Sequence, residues 1–434
     1  LKIFLIILPL VLLLGCSSKK TAQTSLPIQE VTLSNGLHLI MIKNTKAPAT
    51  GVYHWVKAGS LQETKGSTGI AHLFEHMMFR PLKKGAPSFD EKLKPYGVRN
   101  NASTKFESTV YTTVTPQEYL EPVLKIEAER FQGLQVDETL LKVEKEAVRS
   151  EYSTKMDANP IIDLWETIYR KGYKDHPYEW MIIGAREDLD KITAAQANAF
   201  FKKFYRPNNT GLVISGDIDF AETLKWVKQY YGSWKKQRID HPIPPVKMSP
   251  GFIQAQGNLS ANSRNVLIGH RIPEFTPSNY MLMELANFIV YSSSYSVAYR
   301  QLVTEKKLAS DAGPFNFRYD NGMIKGFFQL LPSTSLKSVI NEVNHFSEIV
   351  EAMSDEEFKA YSDKFRLNQA ESLQRNNALV SLTAMSWGKY GDTKAFRPPI
   401  EISVTKEDVV KFMKTYFVKD NMVVITNKNF KGVK

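Results

Sequence analysis

Cysteine is almost absent from this chain of 434 residues: there is one, Cys16. A single thiol excludes an intrachain disulfide framework and any zinc site built on thiolates. A transition metal held here must rely on imidazole and carboxylate, and histidine is itself scarce, with eight in the chain. The apolar run Ile3–Leu14 is twelve residues long, short of the about 20 that a helix needs to span a bilayer. Long blocks of Lys and Arg are missing too, so the surplus of 56 basic over 45 acidic residues, a net charge of +11, reads as solubility and implies no nucleic-acid partner. What remains is 43% hydrophobic and 23% charged, the composition of a globular protein with ample core. Disordered, collagen-like and polytopic membrane classes are excluded.

The lone cysteine has an informative context. Lys2, the apolar run and Gly15 precede Cys16, and the polar stretch Ser17-Ser18-Lys19-Lys20 follows, which is the pattern of a secretory signal. Leu13-Leu14-Gly15-Cys16 resembles a bacterial lipoprotein box. That resemblance implies acylation of Cys16, removal of a signal at residues 1–15, and anchorage to a membrane without a transmembrane helix. Ser17 in place of Asp after the cysteine is what the resemblance associates with the outer membrane, so the expected location is the bacterial cell envelope, lipid-anchored on the periplasmic face of that membrane.

Residues 16–30 read as a polar tether, and folded structure is expected from residue 31, with a hairpin around Ser34-Asn35-Gly36. Pro242, Pro244, Pro245 and Pro250, followed by Gly251, mark a linker over 241–262. The halves on either side, 31–240 and 263–434, share landmarks. Thr193 with Gln196 opens an amphipathic helix by a capping-box pattern, which ends near Asn209 before the strand Leu212-Val213-Ile214. Thr405 with Asp408 opens the same series, ending near Asn421 before Val423-Val424-Ile425. Both Thr193 to Thr405 and Asn209 to Asn421 are offsets of 212, which predicts an internal duplication. Strands and helices interleave in both halves, which predicts two similar domains of α+β or α/β layers.

The chemistry sits in residues 69–79. His72 and His76 are i and i+4, so on a helix both imidazoles leave one face and can grip one cation. Glu75 lies beside the second histidine, at the edge of that face, where it can reach a water on the metal without being a ligand. This is His-x-x-Glu-His, the inverse of the thermolysin-type order. Eight histidines in 434 positions give about 0.15 such histidine pairs by chance, and the adjacent acid makes the coincidence roughly tenfold rarer. His38, His54, His176, His241, His270 and His345 are scattered and read as ordinary core or surface residues. A catalytic zinc needs a third protein ligand and an open position. The acidic segment Leu140–Glu151 offers Glu144 and Glu151, i and i+7 on one helical face, whereas Glu146 points elsewhere. On spacing alone they equally suit a solvated, salt-bridged face.

His72-Leu73-Phe74-Glu75-His76, followed some 75 residues on by Glu144 and Glu151, resembles the pitrilysin / insulinase / mitochondrial-processing-peptidase family of zinc peptidases. Gly59-Ser60 with Glu63 resembles the family's G-S-x-x-E segment, and Asn101-Ala102 with Thr109 and Tyr111 its N-A…T-x-Y strand. His176-Pro177-Tyr178, Gly184, Tyr205-x-Pro207-Asn208-Asn209 and Gly216-Asp217 follow in family order. The resemblance implies two similar domains, each a mostly antiparallel sheet covered by helices. It implies one Zn2+ per chain on His72, His76 and Glu151, Glu75 as general base and Glu144 as a supporting carboxylate. Asn101 and Ala102 would lie on an edge strand that binds an extended peptide substrate by strand addition.

Two departures bear on partners. No His-x-x-Glu-His occurs in the second half. Family members that complete a site alone carry there an Arg and a Tyr six residues apart in between, in a segment like L-R-E-K-x-G-L-A-Y, where Val303 and Ser310 stand here and Arg300 is out of register. The resemblance therefore implies the zinc-bearing subunit of a heterodimer, whose related partner lacks the zinc motif and supplies an Arg-x6-Tyr pair. The expected activity is endopeptidase cleavage of short or unfolded peptides; the alternative is a non-catalytic structural or peptide-binding subunit. The family's F-x-G-T after the motif is also replaced, by Phe79-Arg80-Pro81-Leu82.

Overall fold

Asn35 and Gly36 turn the chain where the hairpin is expected, Gly36 at φ +89°, a left-handed conformation natural to glycine. The flanking strands are β1 (Ile28–Thr32) and β2 (His38–Lys43), paired antiparallel. The structure, a computed structural model, describes residues 26–240, 246, 248–315, 322–374, 376–395 and 403–430. The signal at 1–15, Cys16 and the tether up to residue 25 lie outside the described residues. Among the described residues no helix is long and apolar enough to cross a membrane.

The first sheet continues with β3 (Thr50–Val56), β4 (Arg99–Thr104), β5 (Thr109–Thr115) and β6 (Thr210–Gly216), in the order β1-β2-β6-β3-β5-β4. The second contains β7 (Ile253–Gln256), β8 (Arg264–Arg271), β9 (Ala309–Pro314), β10 (Met323–Leu330) and β11 (Met422–Thr426), in the order β7-β11-β8-β10-β9. Each has one parallel pair, β2/β6 and β7/β11, among antiparallel ones. Without β1, the two sheets share one strand order and one pattern of directions. The fold is thus α+β with two similar halves.

The duplication extends to single hydrogen bonds. Both capping boxes form, Thr193 with Gln196 and Thr405 with Asp408. Past each helix, an asparagine amide closes the turn: Asn209 Nδ2 donates to Phe204 O at 2.8 Å, and Asn421 Nδ2 to Tyr416 O at 2.8 Å. Each amide also reaches the strand beside it, through Lys57 O and Arg271 O respectively.

The inner strands β2, β3, β6, β8 and β11 are buried on both faces, so their apolar residues do not alternate with polar ones. On β2, Leu39 and Met41 join one core and Ile40 and Ile42 another; on β6, Leu212 and Ile214 separate likewise from Val213. The motif helix Ile70–Met77 and the helices Leu120–Gly133 and Ala194–Phe204 cover one face of the first sheet. Its other face is covered from the second half, by Val380, Leu382, Met385 and Trp387 of the helix Asn376–Tyr390. Reciprocally, Leu164, Trp165 and Ile168 of the helix Pro160–Gly172 pack on Leu267, Val423 and Ile425 of the second sheet. Close approach is enforced by glycine: a Cβ on Gly211 would sit 2.6 Å from the Trp387 ring, and one on Gly388 2.5 Å from Trp55 Nε1. Large apolar side chains buried in this way contribute about 1.5–3 kcal/mol each, so the exchanged helices tie the halves together. Strand structure begins at Ile28, ahead of the expected residue 31, and the span 241–262, expected as a linker, contributes β7. That strand is four residues long and half polar, too short for periodicity to reveal.

His270 on β8 is fully buried and stacks on Phe417 at 4.3 Å. Burial, with Arg271 alongside, lowers its pKa to about 3. Between that value and the unfolded pKa the unfolded chain binds the extra proton, so stability is lost as pH falls below about 6.5. From pH 7 to pH 5 this group alone is expected to cost about 2 kcal/mol. Urea unfolding of wild type and His270→Leu at both pH values checks it: the variant should lose that much less, and equal losses would contradict the assignment.

Candidate metal centre

The motif helix is aimed by its N-terminus. Gly69, its cap, has φ +86°, and a Cβ there would lie 2.4 Å from Ile183 O. Glu63, buried, accepts from the N–H groups of Gly69 and Ala71, both at 2.9 Å, and from Trp180 Nε1 at 3.0 Å. A carboxylate at a helix N-terminus satisfies unpaired donors and suits the helix dipole. Burial nevertheless pushes Glu63 up to about 8 against the pull of those donors. Thr68 donates its hydroxyl to Asp188 at 2.7 Å and accepts from the Ala185 N–H at 2.9 Å, which joins the cap to the loop before the helix Arg186–Lys191.

With Ala71, Phe74 and Met77 turned into the core, His72, Glu75 and His76 occupy the opposite, half-buried face. Opposite them runs the acidic helix Glu138–Lys155, started by Asp137, which accepts from the Leu140 N–H at 2.8 Å. Leu141, Glu144 and Val148 form its buried stripe, and Glu151 continues it toward the histidines. Glu151 Oε2 lies 3.6 Å from His72 Nε2 and 3.3 Å from His76 Nε2. One donor atom from each of His72, His76 and Glu151 falls within 4.8 Å of the others, and among the described residues this is the group of side chains that could hold a metal ion. Ligand atoms about 2.1 Å from a tetrahedral zinc lie about 3.4 Å from one another. The observed nitrogen–oxygen separations match that edge and are longer than strong hydrogen bonds. The donor set, two imidazoles and a carboxylate, also suits zinc.

Glu144 is fully buried and pairs with two cations: its Oε2 is 3.5 Å from His76 Nδ1, and its Oε1 meets Arg80 Nε. Glu151 uses its other oxygen on Lys155, 2.6 Å away. Among the side chains alone, burial and the neighbouring His76 lower His72 to about 4. His76 is opposed by burial but lifted to about 9 by the facing carboxylates of Glu144 and Glu151. The facing His76 ring and the hydrogen bond from Lys155 bring Glu151 down to about 2, against its burial. Glu75 is held from the first sheet. Its Oε2 accepts from the Thr104 hydroxyl at 2.6 Å, the Thr104 backbone N–H reaches it too, and burial raises its pKa.

Thr104 ends β4, an edge of the first sheet, so Asn101 and Ala102 lie three and two residues from the group that holds Glu75. His72, His76, Glu144, Glu151 and Glu75 thus share one site, with the edge strand of Asn101 and Ala102 beside it. Arg80, Thr104 and Lys155 were not singled out from the sequence. Thr104 shares the strand parity of Ala102, and Lys155 is four residues past Glu151, both of which were usable signals. In the second half, Arg300 is engaged by Glu357 at 2.6 Å, and the Ser310 hydroxyl donates to Gln329 O at 3.2 Å.

The family model described as Insulinase (Peptidase family M16) matches residues 39–186, and one described as Peptidase M16 inactive domain matches 191–365. The chain belongs to peptidase family M16. It is similar to the zinc protease PqqE of Helicobacter pylori, at 27% identity over 424 residues and 94% of each chain. A solved structure of a protease from Helicobacter pylori has the same fold, with a TM-score of 0.82 at 24% identity, over 93% of this chain and 99% of that one. Subunit beta of the mitochondrial-processing peptidase of Dictyostelium discoideum is 21% identical over 287 residues, 65% of this chain and 60% of that one. The M16 model called inactive starts at residue 191, within the first half, and runs on to residue 365 of the second, which lacks the His-x-x-Glu-His motif.

Proposed function

We propose that this M16 chain is a zinc-dependent endopeptidase of short or unfolded peptides, with one zinc held by His72, His76 and Glu151. The observation that carries the reading is the spacing of two Nε2 atoms and one carboxylate oxygen at zinc-ligand separations. When bound, zinc supplies Lewis acidity to water and to the peptide carbonyl. Glu75 takes the proton from the attacking water and passes it to the leaving amine. Thr104 holds Glu75 Oε2 in place through this transfer. Glu144 orients His76 from behind. The β4 edge, through Asn101 and Ala102, aligns an extended peptide by backbone pairing, which is largely indifferent to side chains and excludes folded proteins. In this reading, residues 31–240 form the zinc-bearing domain, 263–434 a related domain without a motif, and Cys16 carries the lipid that anchors the protein on the periplasmic face of the outer membrane.

Val303 and Ser310 leave the second half without an Arg/Tyr pair for the substrate backbone, so the chain is the zinc-bearing subunit of a heterodimer. Similarity to a protein named as a subunit of a processing peptidase supports this assignment. A non-catalytic structural or peptide-binding role is the second reading, favoured by that missing pair and opposed by the intact Glu75 and its companions. Turnover of a quenched fluorescent, unstructured peptide by the zinc-loaded chain decides between them. Slow cleavage alone is expected, rising by about tenfold or more, about 1.4 kcal/mol of regained substrate contact, when a related chain carrying the Arg-x6-Tyr pair is added. Equal turnover with and without the partner refutes the heterodimer; no turnover in either case refutes the enzyme.

A further inference from the structure

Arg80 lies just beyond the motif helix, where the chain departs from the pattern F-x-G-T. Its backbone N–H bonds Met77 O at 3.0 Å, closing a tight turn after the helix. Pro81 follows, and a residue before proline is restricted to extended conformations. Turn and proline together fix the direction in which the Arg80 side chain leaves the backbone. It runs back to Glu144 and places Nε on Oε1, and the other oxygen of the same carboxylate faces His76 Nδ1 at 3.5 Å. Glu144 is 1% exposed. A carboxylate so placed is expensive unless paired, and losing one of its partners is costly. Lys155 makes a comparable contact to Glu151 but is 63% exposed, where an ion pair contributes little.

We propose that Arg80 is a positioning residue of the metal centre, acting through Glu144 on His76. Resting on the zinc reading above, the inference adds what fixes the His76 ring. A guanidinium on Oε1 sets the carboxylate plane, so that Oε2 faces His76 Nδ1 at 3.5 Å and takes its N–H as a hydrogen bond when the metal draws Nε2 forward. That hydrogen bond selects the tautomer whose Nε2 lone pair faces Glu151 and the metal.

Zinc dissociation constants, measured by competition with a chromogenic chelator, test the proposal in the full-length protein. Arg80→Met should weaken zinc binding about 10–100-fold, and Arg80→Lys, which keeps the charge but not the fork, should fall between it and wild type. In a Glu144→Gln background, Arg80→Met should add less than about threefold, because its effect runs through Glu144. The visible spectrum of the cobalt-substituted protein should shift in Arg80→Lys, a change that a merely stabilising role would not produce. Should Arg80→Met fail to fold, the Arg80→Lys constant and spectrum carry the test. A wild-type dissociation constant with an unshifted spectrum in Arg80→Lys, or an undiminished effect of Arg80→Met beside Glu144→Gln, overturns the role of Arg80. Failure of the wild type itself to take up zinc overturns the underlying zinc reading instead, and the proposal with it.

Discussion

Glu75→Gln is expected to lower peptide turnover by about 10²–10⁴-fold, the usual worth of a positioned general base, while zinc uptake stays at the wild-type level. The substitution conserves shape. A glutamine oxygen can still accept the 2.6 Å hydrogen bond from Thr104, so the face that carries His72 and His76 is undisturbed. Only the ability to take a proton is removed. Burial holds the Glu75 pKa above its ordinary value, toward the range in which a base can both accept and release a proton near neutral pH. Parallel measurement of zinc content and initial rates checks the result. Loss of both zinc and activity would make Glu75 part of the metal set, and retention of both would remove it from the chemistry.

Glu151→Ala should have the opposite signature, with zinc affinity falling on the order of 10³-fold or more, about 4 kcal/mol for one ligand in three. The apoprotein should keep its thermal stability. Glu151 is one-fifth exposed; when its carboxylate is removed Lys155 returns to water and His76, which also faces Glu151, keeps Glu144 beside it, so no buried charge is stranded. Glu144→Ala differs, because it leaves Arg80 and the inner side of His76 without their shared acceptor. Chelator competition and thermal unfolding of the zinc-free variant read the two quantities separately. Wild-type affinity in Glu151→Ala would displace it from the ligand set.

The sequence made much of this architecture legible, because its strongest signals are local. Helix periodicity placed His72 and His76 on one face, and a seven-residue interval aligned Glu144 with Glu151; the structure brings the two faces together. The 212-residue offset between Thr193 and Thr405, and between Asn209 and Asn421, reflects the same capped helix, turn and strand built twice. What stayed hidden depends on tertiary approach. Nothing in the run from Val380 to Trp387 says that it covers the first sheet and not the second. The strand Ile253–Gln256 is held by its parallel pairing with β11 more than by its own pattern. Arg80 joins the site because a turn after the motif helix points it inward, which spacing along the chain does not encode.

Crystals of the zinc-soaked, full-length chain, with anomalous diffraction recorded on both sides of the zinc absorption edge, test the central claim most directly. The account predicts one anomalous peak per chain, about 2.0–2.2 Å from the Nε2 atoms of His72 and His76 and from a carboxylate oxygen of Glu151. A peak elsewhere, or none between these three side chains, would contradict it.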